Sequence, residues 1–187
     1  MSGSDVKAVF ITADTNAADN ASISANERPN TDFTIGGTDA SGGVATFAAG
    51  RIVTATTAGT GDSGKTVTIT GTDVNGDSQT ETITLPGSAT TTSGTKFFKT
   101  VTAASASAQP AANVSLGHAA DAADVVFAGR SRLQGLNIVC SATAGTLDFR
   151  TTSATGSSIF KVGTVASATS TRDITIPDEG LLFTDGI

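Results

Sequence analysis

From Thr31 onward, apolar side chains recur at alternate positions in short runs. They are TDFTI (31–35), GVATFA (43–48), RIVTATT (51–57), KTVTITGT (65–72), QTETITL (79–85) and TKFFKTV (95–101). A period of two sends successive side chains to opposite faces, so each run predicts a half-buried β-strand. Gly, Asp, Ser or Pro closes every gap, at the spacing of a sandwich or barrel. An Ala/Ser-rich stretch over 102–124 follows, with a short strand near 113–116 and then a connector. The alternation resumes in DVVFAG (124–129), RLQGLNIVC (132–140), TLDFRT (146–151), SIFKV (158–162), RDITIP (172–177) and LLFT (181–184). Upstream, VKAVFIT (6–12) predicts a first strand, and the polar, non-periodic residues 13–30 predict a loop or extended arm. No amphipathic helix is expected anywhere.

The pattern therefore predicts an all-β chain of one or two small antiparallel β-sandwich modules, Ig-like or jelly-roll-like. An N-terminal strand and extended arm over 1–30 precede a sandwich module over 31–118 and a second small β-module over 119–187. The fragments SGTKFFKTVTAAS and GSSIFKVGTVASA echo one another across the two halves.

Register can be read at one hairpin. In TVTITGTDVNGDSQTETITL (66–85), Val67, Ile69, Ile83 and Leu85 are all apolar at odd positions. A two-residue Asn75-Gly76 loop would pair odd with even and split the apolar set between two faces, which a half-buried sheet does not tolerate. A three-residue loop, Val74-Asn75-Gly76 with Gly76 left-handed, instead puts Val67 opposite Ile83 and Asp73 opposite Asp77. The threonines from Thr66 to Thr84 then share the solvent face. The facing carboxylates repel one another, so Asp73→Ala and Asp77→Ala are expected to be mild or stabilising.

Composition narrows the function classes. Charged residues are 15% of the 187, and the nine aromatics are all Phe. Eleven basic residues against 17 acidic ones give a net charge of −6 with no basic stripe, which argues against a nucleic-acid partner. No apolar run approaches the ~20 residues of a membrane span, and the N-terminus lacks a signal-peptide core. A single Cys140 cannot form an internal disulfide. These features describe a soluble chain made in a reducing cytoplasm, without a membrane partner.

Candidate chemistry is sparse. Asp73, Asn75 and Asp77 space their oxygens like a calcium loop, but Glu81 comes too early for the closing bidentate acid and no helices flank the segment. Gly59 through Thr66 satisfies the spacing GxxxxGK[ST], yet the residues that follow alternate as a strand where a phosphate loop needs a helix. That stretch is expected to be a Gly-rich hairpin loop. His118, the only histidine, is expected to be an exposed linker residue, and Cys140 a small core residue. Asp178 and Glu179 are expected in a solvated turn after Pro177. No catalytic, cofactor-binding or metal-binding residue is expected, and no cofactor.

The stretch GDSGKTVTITGTDVNGDSQTETITLPGSATTTSGTKFFKTVTAAS resembles a module recurrent in tailed-bacteriophage structural proteins. Its marks are the TVTITGTDxNG hairpin, the ETITLP strand, a Thr/Ser-rich turn and a KxFKTVT strand. The later segment, from SRLQGLNIVC through SATAGTLDF to IPDEGLLF, is similar to a second small β-module of phage virion proteins. The resemblance implies a virion component assembled in the host cytoplasm, without transferable catalytic residues. A capsid decoration or cement protein is the leading role. A tail or fibre-associated adaptor, ring or attachment module is the alternative, and a host-surface adhesin a more distant one. Implied partners are other virion proteins, major capsid or tail, and further copies of this chain. The relatives usually continue past LLFTDG with one more strand, so the resemblance also implies a sheet edge completed between chains, by a neighbour's N-terminal strand or by a lattice partner.

Overall fold

The computed structural model describes residues 8–10, 17–120, 125, 127–140, 142–151, 156–167 and 170–187. These are all-β, with antiparallel pairings throughout and no helix among the described residues. The chain divides into two compact units, Met1–Val126 and Phe127–Ile187.

The first unit holds β1 (Asp19–Glu27), β2 (Ala40–Ser41), β3 (Val44–Thr57), β4 (Thr66–Thr72), β5 (Ser78–Thr84), β6 (Thr91–Ala106) and β7 (Val114–His118). They form one sheet in the order β1-β7-β3-β6-β4-β5, with β2 paired to β3. Ile23 of β1 and Ile83 of β5, at opposite ends of that order, belong to the same buried cluster as Val53, Phe98, Val101 and Leu116. Register shifts between Thr46 and Arg51 and between Ile52 and Thr54 supply local kinks where β3 meets β6.

Side chains of β5 also reach the backbone of β6, although β4 lies between the two in the sheet order. The Glu81 carboxylate accepts the N–H groups of Thr95 (2.6 Å) and Lys96 (3.3 Å), while Gln79 Nε2 donates to the Phe97 carbonyl. A Cβ on Gly94 would lie 2.3 Å from Glu81 Oε2, so glycine at 94 makes the approach possible.

The hairpin register is the expected one. Val67 faces Ile83, and Thr72 faces Ser78, which leaves Asp73 opposite Asp77. Gly76 lies at φ +90°, and its N–H donates to the Asp73 carbonyl at 3.1 Å. Val67 and Ile69 are fully buried, while the threonines of β4 and β5 are half-buried or exposed.

Several expectations are corrected. Asp19–Glu27 is a strand, not a loop. It lacks alternation because Ser22, Ile23 and Ser24 are buried in succession between β7 on one side and the 36–39 turn on the other. The runs expected over 43–48 and 51–57 merge into one strand, β3, which starts at Val44, because a bulge absorbs the break. TDFTI shrinks to a bridge between Asp32 and Ser105, with Phe33 N–H donating to the Ala104 carbonyl. Of the strand expected over 6–12, Ala8, Val9 and Phe10 are described, exposed and outside any strand; the other positions lie outside the described residues.

The second unit pairs β8 (Ser131–Leu133) with β13 (Leu181–Phe183), β9 (Gly135–Val139) with β12 (Thr171–Thr175), and β10 (Gly145–Arg150) with β11 (Ser158–Thr164). Its core is Ile138, Cys140 and Val162, packed against Leu136, Leu147, Phe149, Phe160 and Ile174. Of the run expected over 124–129, the described residues Val125 and Phe127–Gly129 are not strand, and positions 124 and 126 lie outside the described residues. Phe127 and Ile187 instead exchange both backbone hydrogen bonds, at 3.3 and 3.0 Å.

Candidate functional site

His118 is the position where the structure departs furthest from expectation. It is the last residue of β7 and 6% exposed, not a linker residue. All five residues of VSLGH are buried, since β7 lies between β1 and β3. The ring stands edge-on to Phe47, with centroids 5.8 Å apart and planes at 79°. Nδ1 lies 3.0 Å from the Ala119 carbonyl and donates to it, which turns Nε2 toward Asp39 Oδ2 at 3.5 Å.

Asp19, opposite His118 in the β1–β7 register, completes the cluster. Its Oδ1 accepts the Ala21 N–H and its Oδ2 the Thr38 hydroxyl, both at 2.9 Å. The Ala21 amide holds the Asp19 carboxyl below its ordinary value against the opposing effect of burial, with Thr38 and His118 helping. Asp19, Asp39 and His118 line an open cleft of about 490 Å³ with Ala17, Ala18 and Asn20. Among the described residues, its polar lining is one imidazole, two carboxylates and the Asn20 amide. Among the described residues, no group of three His, Cys, Asp or Glu side chains is placed to hold a metal ion.

The calcium-like loop is a capped turn. Asp73 Oδ1 accepts the N–H groups of Asn75 (2.8 Å) and Asp77 (3.0 Å), so this carboxylate closes its own loop. The two facing aspartates are therefore not equivalent, as repulsion alone would make them.

The stretch from Gly59 to Thr66 is not a hairpin loop. It links β3 to β4, which are not paired with each other but lie on either side of β6. Asp62 anchors it. Its carboxylate is fully buried and accepts the Ala111 N–H at 2.5 Å, the Ala112 N–H at 3.3 Å and the Lys65 ammonium at 3.0 Å. The lysine that a phosphate loop would present to nucleotide is thus held by an internal carboxylate.

Asp178 and Glu179 occupy the exposed turn between β12 and β13, and Glu179 pairs with Arg132 at 3.0 Å. Asp178 has φ +58°, and Gly180 has φ +78° with space for no Cβ, since one would lie 2.5 Å from the Leu133 carbonyl. Cys140 is 4% exposed in the second core. Sequence reasoning missed the Asp62 anchor and the His118 cluster; for Asp62, an acid among glycines was the available signal. No family model, curated protein or solved structure matches the chain.

Proposed function

We propose that this chain is a non-enzymatic structural protein of a tailed-bacteriophage virion, a capsid decoration or cement protein that coats or stabilises the particle. The observation that carries the reading is that both segments bearing the resemblance fold as closed local pieces. TVTITGTDVNGDSQTETITL is a three-residue-loop hairpin with a threonine face, and IPDEGLLF is the corner that returns β13 along β8. In this reading each unit is a small β-sandwich. Its partners are the major capsid protein and further copies of this chain, its place is the particle assembled in the host cytoplasm, and nucleic acid and membrane are not among its partners. A net charge of −6 suits an outer face that keeps particles apart.

The test is the copy number of this protein in purified particles, by quantitative mass spectrometry against the major capsid protein. A number matching capsid lattice positions supports decoration. One matching the symmetry of a tail ring or fibre places the protein there instead. Absence from the particle, with glycan binding by the isolated protein, would favour a host-surface adhesin.

A further inference from the structure

We propose that Asn75 is a site of spontaneous covalent modification, at which water converts the Asn75–Gly76 link to a mixture of aspartyl and isoaspartyl links. Asn75 is the only asparagine in the chain followed by glycine; the others precede Ala, Glu, Thr, Val or Ile. It sits exposed in the loop, and Gly76 at φ +90° has open space around its α-carbon. No Cβ therefore obstructs approach of the Gly76 nitrogen to the Asn75 side-chain carbonyl carbon.

The steps balance without any oxidant or reductant. Solvent base removes the Gly76 amide proton, and the nitrogen attacks Asn75 Cγ. The new C–N bond closes a five-membered succinimide as the Cγ–Nδ2 bond breaks and ammonia leaves with a solvent proton. Water then opens the ring. Attack at the side-chain-derived carbonyl restores the normal main chain with aspartate at 75. Attack at the main-chain carbonyl leaves the peptide link through the side chain, adding one methylene to the backbone.

The fold sets both the rate and the consequence. The Gly76 N–H donates to the Asp73 carbonyl at 3.1 Å, so attack requires that this turn bond opens first. The folded chain therefore reacts more slowly than the same peptide released. Either product adds a carboxylate between Asp73 and Asp77, which already face one another. The isoaspartyl product also lengthens a loop held by Asp73 N–H on the Asp77 carbonyl (2.9 Å) and by Asp73 Oδ1 on two amides. A three-residue loop has no slack for an extra methylene, so the turn end of β4–β5 opens.

The test incubates the full-length protein at mildly alkaline pH and physiological temperature, with peptide mapping by mass spectrometry over time. The expected result is the mass gain of amide-to-acid exchange confined to the peptide spanning Asn75, faster at higher pH, with an isoaspartyl fraction. Asp185 also precedes glycine, but its cyclisation releases water and rehydrates, so it leaves no mass change. Asn75→Gln should abolish the gain, and Asn75→Asp should lower the unfolding midpoint less than ageing does, because it adds charge without lengthening the loop. An Asn75 peptide that stays fully amidated in the folded protein, while the same released peptide converts, would overturn the proposal. So would a mass gain that Asn75→Gln does not remove.

Discussion

The fully buried carboxylate of Asp62 accepts the backbone N–H of Ala111 at 2.5 Å, tying the β3–β4 connection to the loop that precedes β7. Lys65 at 3.0 Å supplies the countercharge from within the same connection. Burial pushes the Asp62 pKa up, but the Ala111 amide, Lys65 and the Ala112 amide outweigh it and hold the group below its ordinary value. Asp62→Ala leaves two amides and an ammonium without their acceptor and is expected to cost roughly 2–4 kcal/mol. A group depressed in the folded state stabilises fully above its unfolded value and loses that contribution as pH falls through the folded one. Urea unfolding from neutral pH into the acid range should therefore show a loss below about pH 4 in the wild type. The same series on Asp62→Ala should be flatter there; an equal acid loss in both would remove Asp62 from the account.

Asp73 and Asp77 should respond differently to truncation. Asp73→Ala removes the acceptor for two loop amides and is expected to cost about 1 kcal/mol. Asp77→Ala relieves repulsion and should stay within about 0.5 kcal/mol of wild type. Gly76→Val forces a β-branched residue into the left-handed region, for about 1–2 kcal/mol. Equal effects at 73 and 77 in chemical denaturation would mean that the carboxylate cap contributes nothing.

Two strand glycines make a matched pair. A Cβ on Gly117 would lie 1.8 Å from the Asp19 carbonyl, a backbone atom that moves only with β1, whereas Gly163 has nothing within 4 Å. Gly117→Ala should cost at least about 2 kcal/mol by forcing β1 and β7 apart. Gly163→Ala should be neutral or slightly stabilising, by up to ~1 kcal/mol. Thermal unfolding of the two variants decides it; a neutral Gly117→Ala would mean that β1 yields without cost.

Calcium, EDTA and ATP should each leave the unfolding midpoint in place. Asp73 is committed to its own loop, and Lys65 to Asp62. A ligand that binds only the folded state raises the midpoint by mass action. A rise of several degrees with calcium would reopen the 73–77 loop as a cation site, and one with ATP the Gly59–Thr66 stretch.

The all-β class and one register were legible in the sequence. Threonines alternate with Val67 and Ile69 in β4 and flank Ile83 in β5, and only an odd loop keeps Val67 and Ile83 on one face, so purely local constraints set that pairing. The all-β class follows from the same alternation, as does the placement of Cys140 in a core.

What the sequence could not carry is burial created by distant backbone. DNASISANE has no strand periodicity, because its serines are buried by β7 and by the 36–39 turn rather than by their own alternation. His118 looks like part of the Ala-rich connector until β1 and β3 close on both sides of β7 and carry it to Phe47, Asp39 and Asp19. Asp62 reads as a loop acid until Ala111 and Ala112 present their amides from 49 and 50 residues away. Alternation is a property of neighbours along the chain, and it marks strands such as β4 whose own two faces differ. Strand order, buried small residues and desolvated charges depend on which backbones approach one another, and only the tertiary structure decides that.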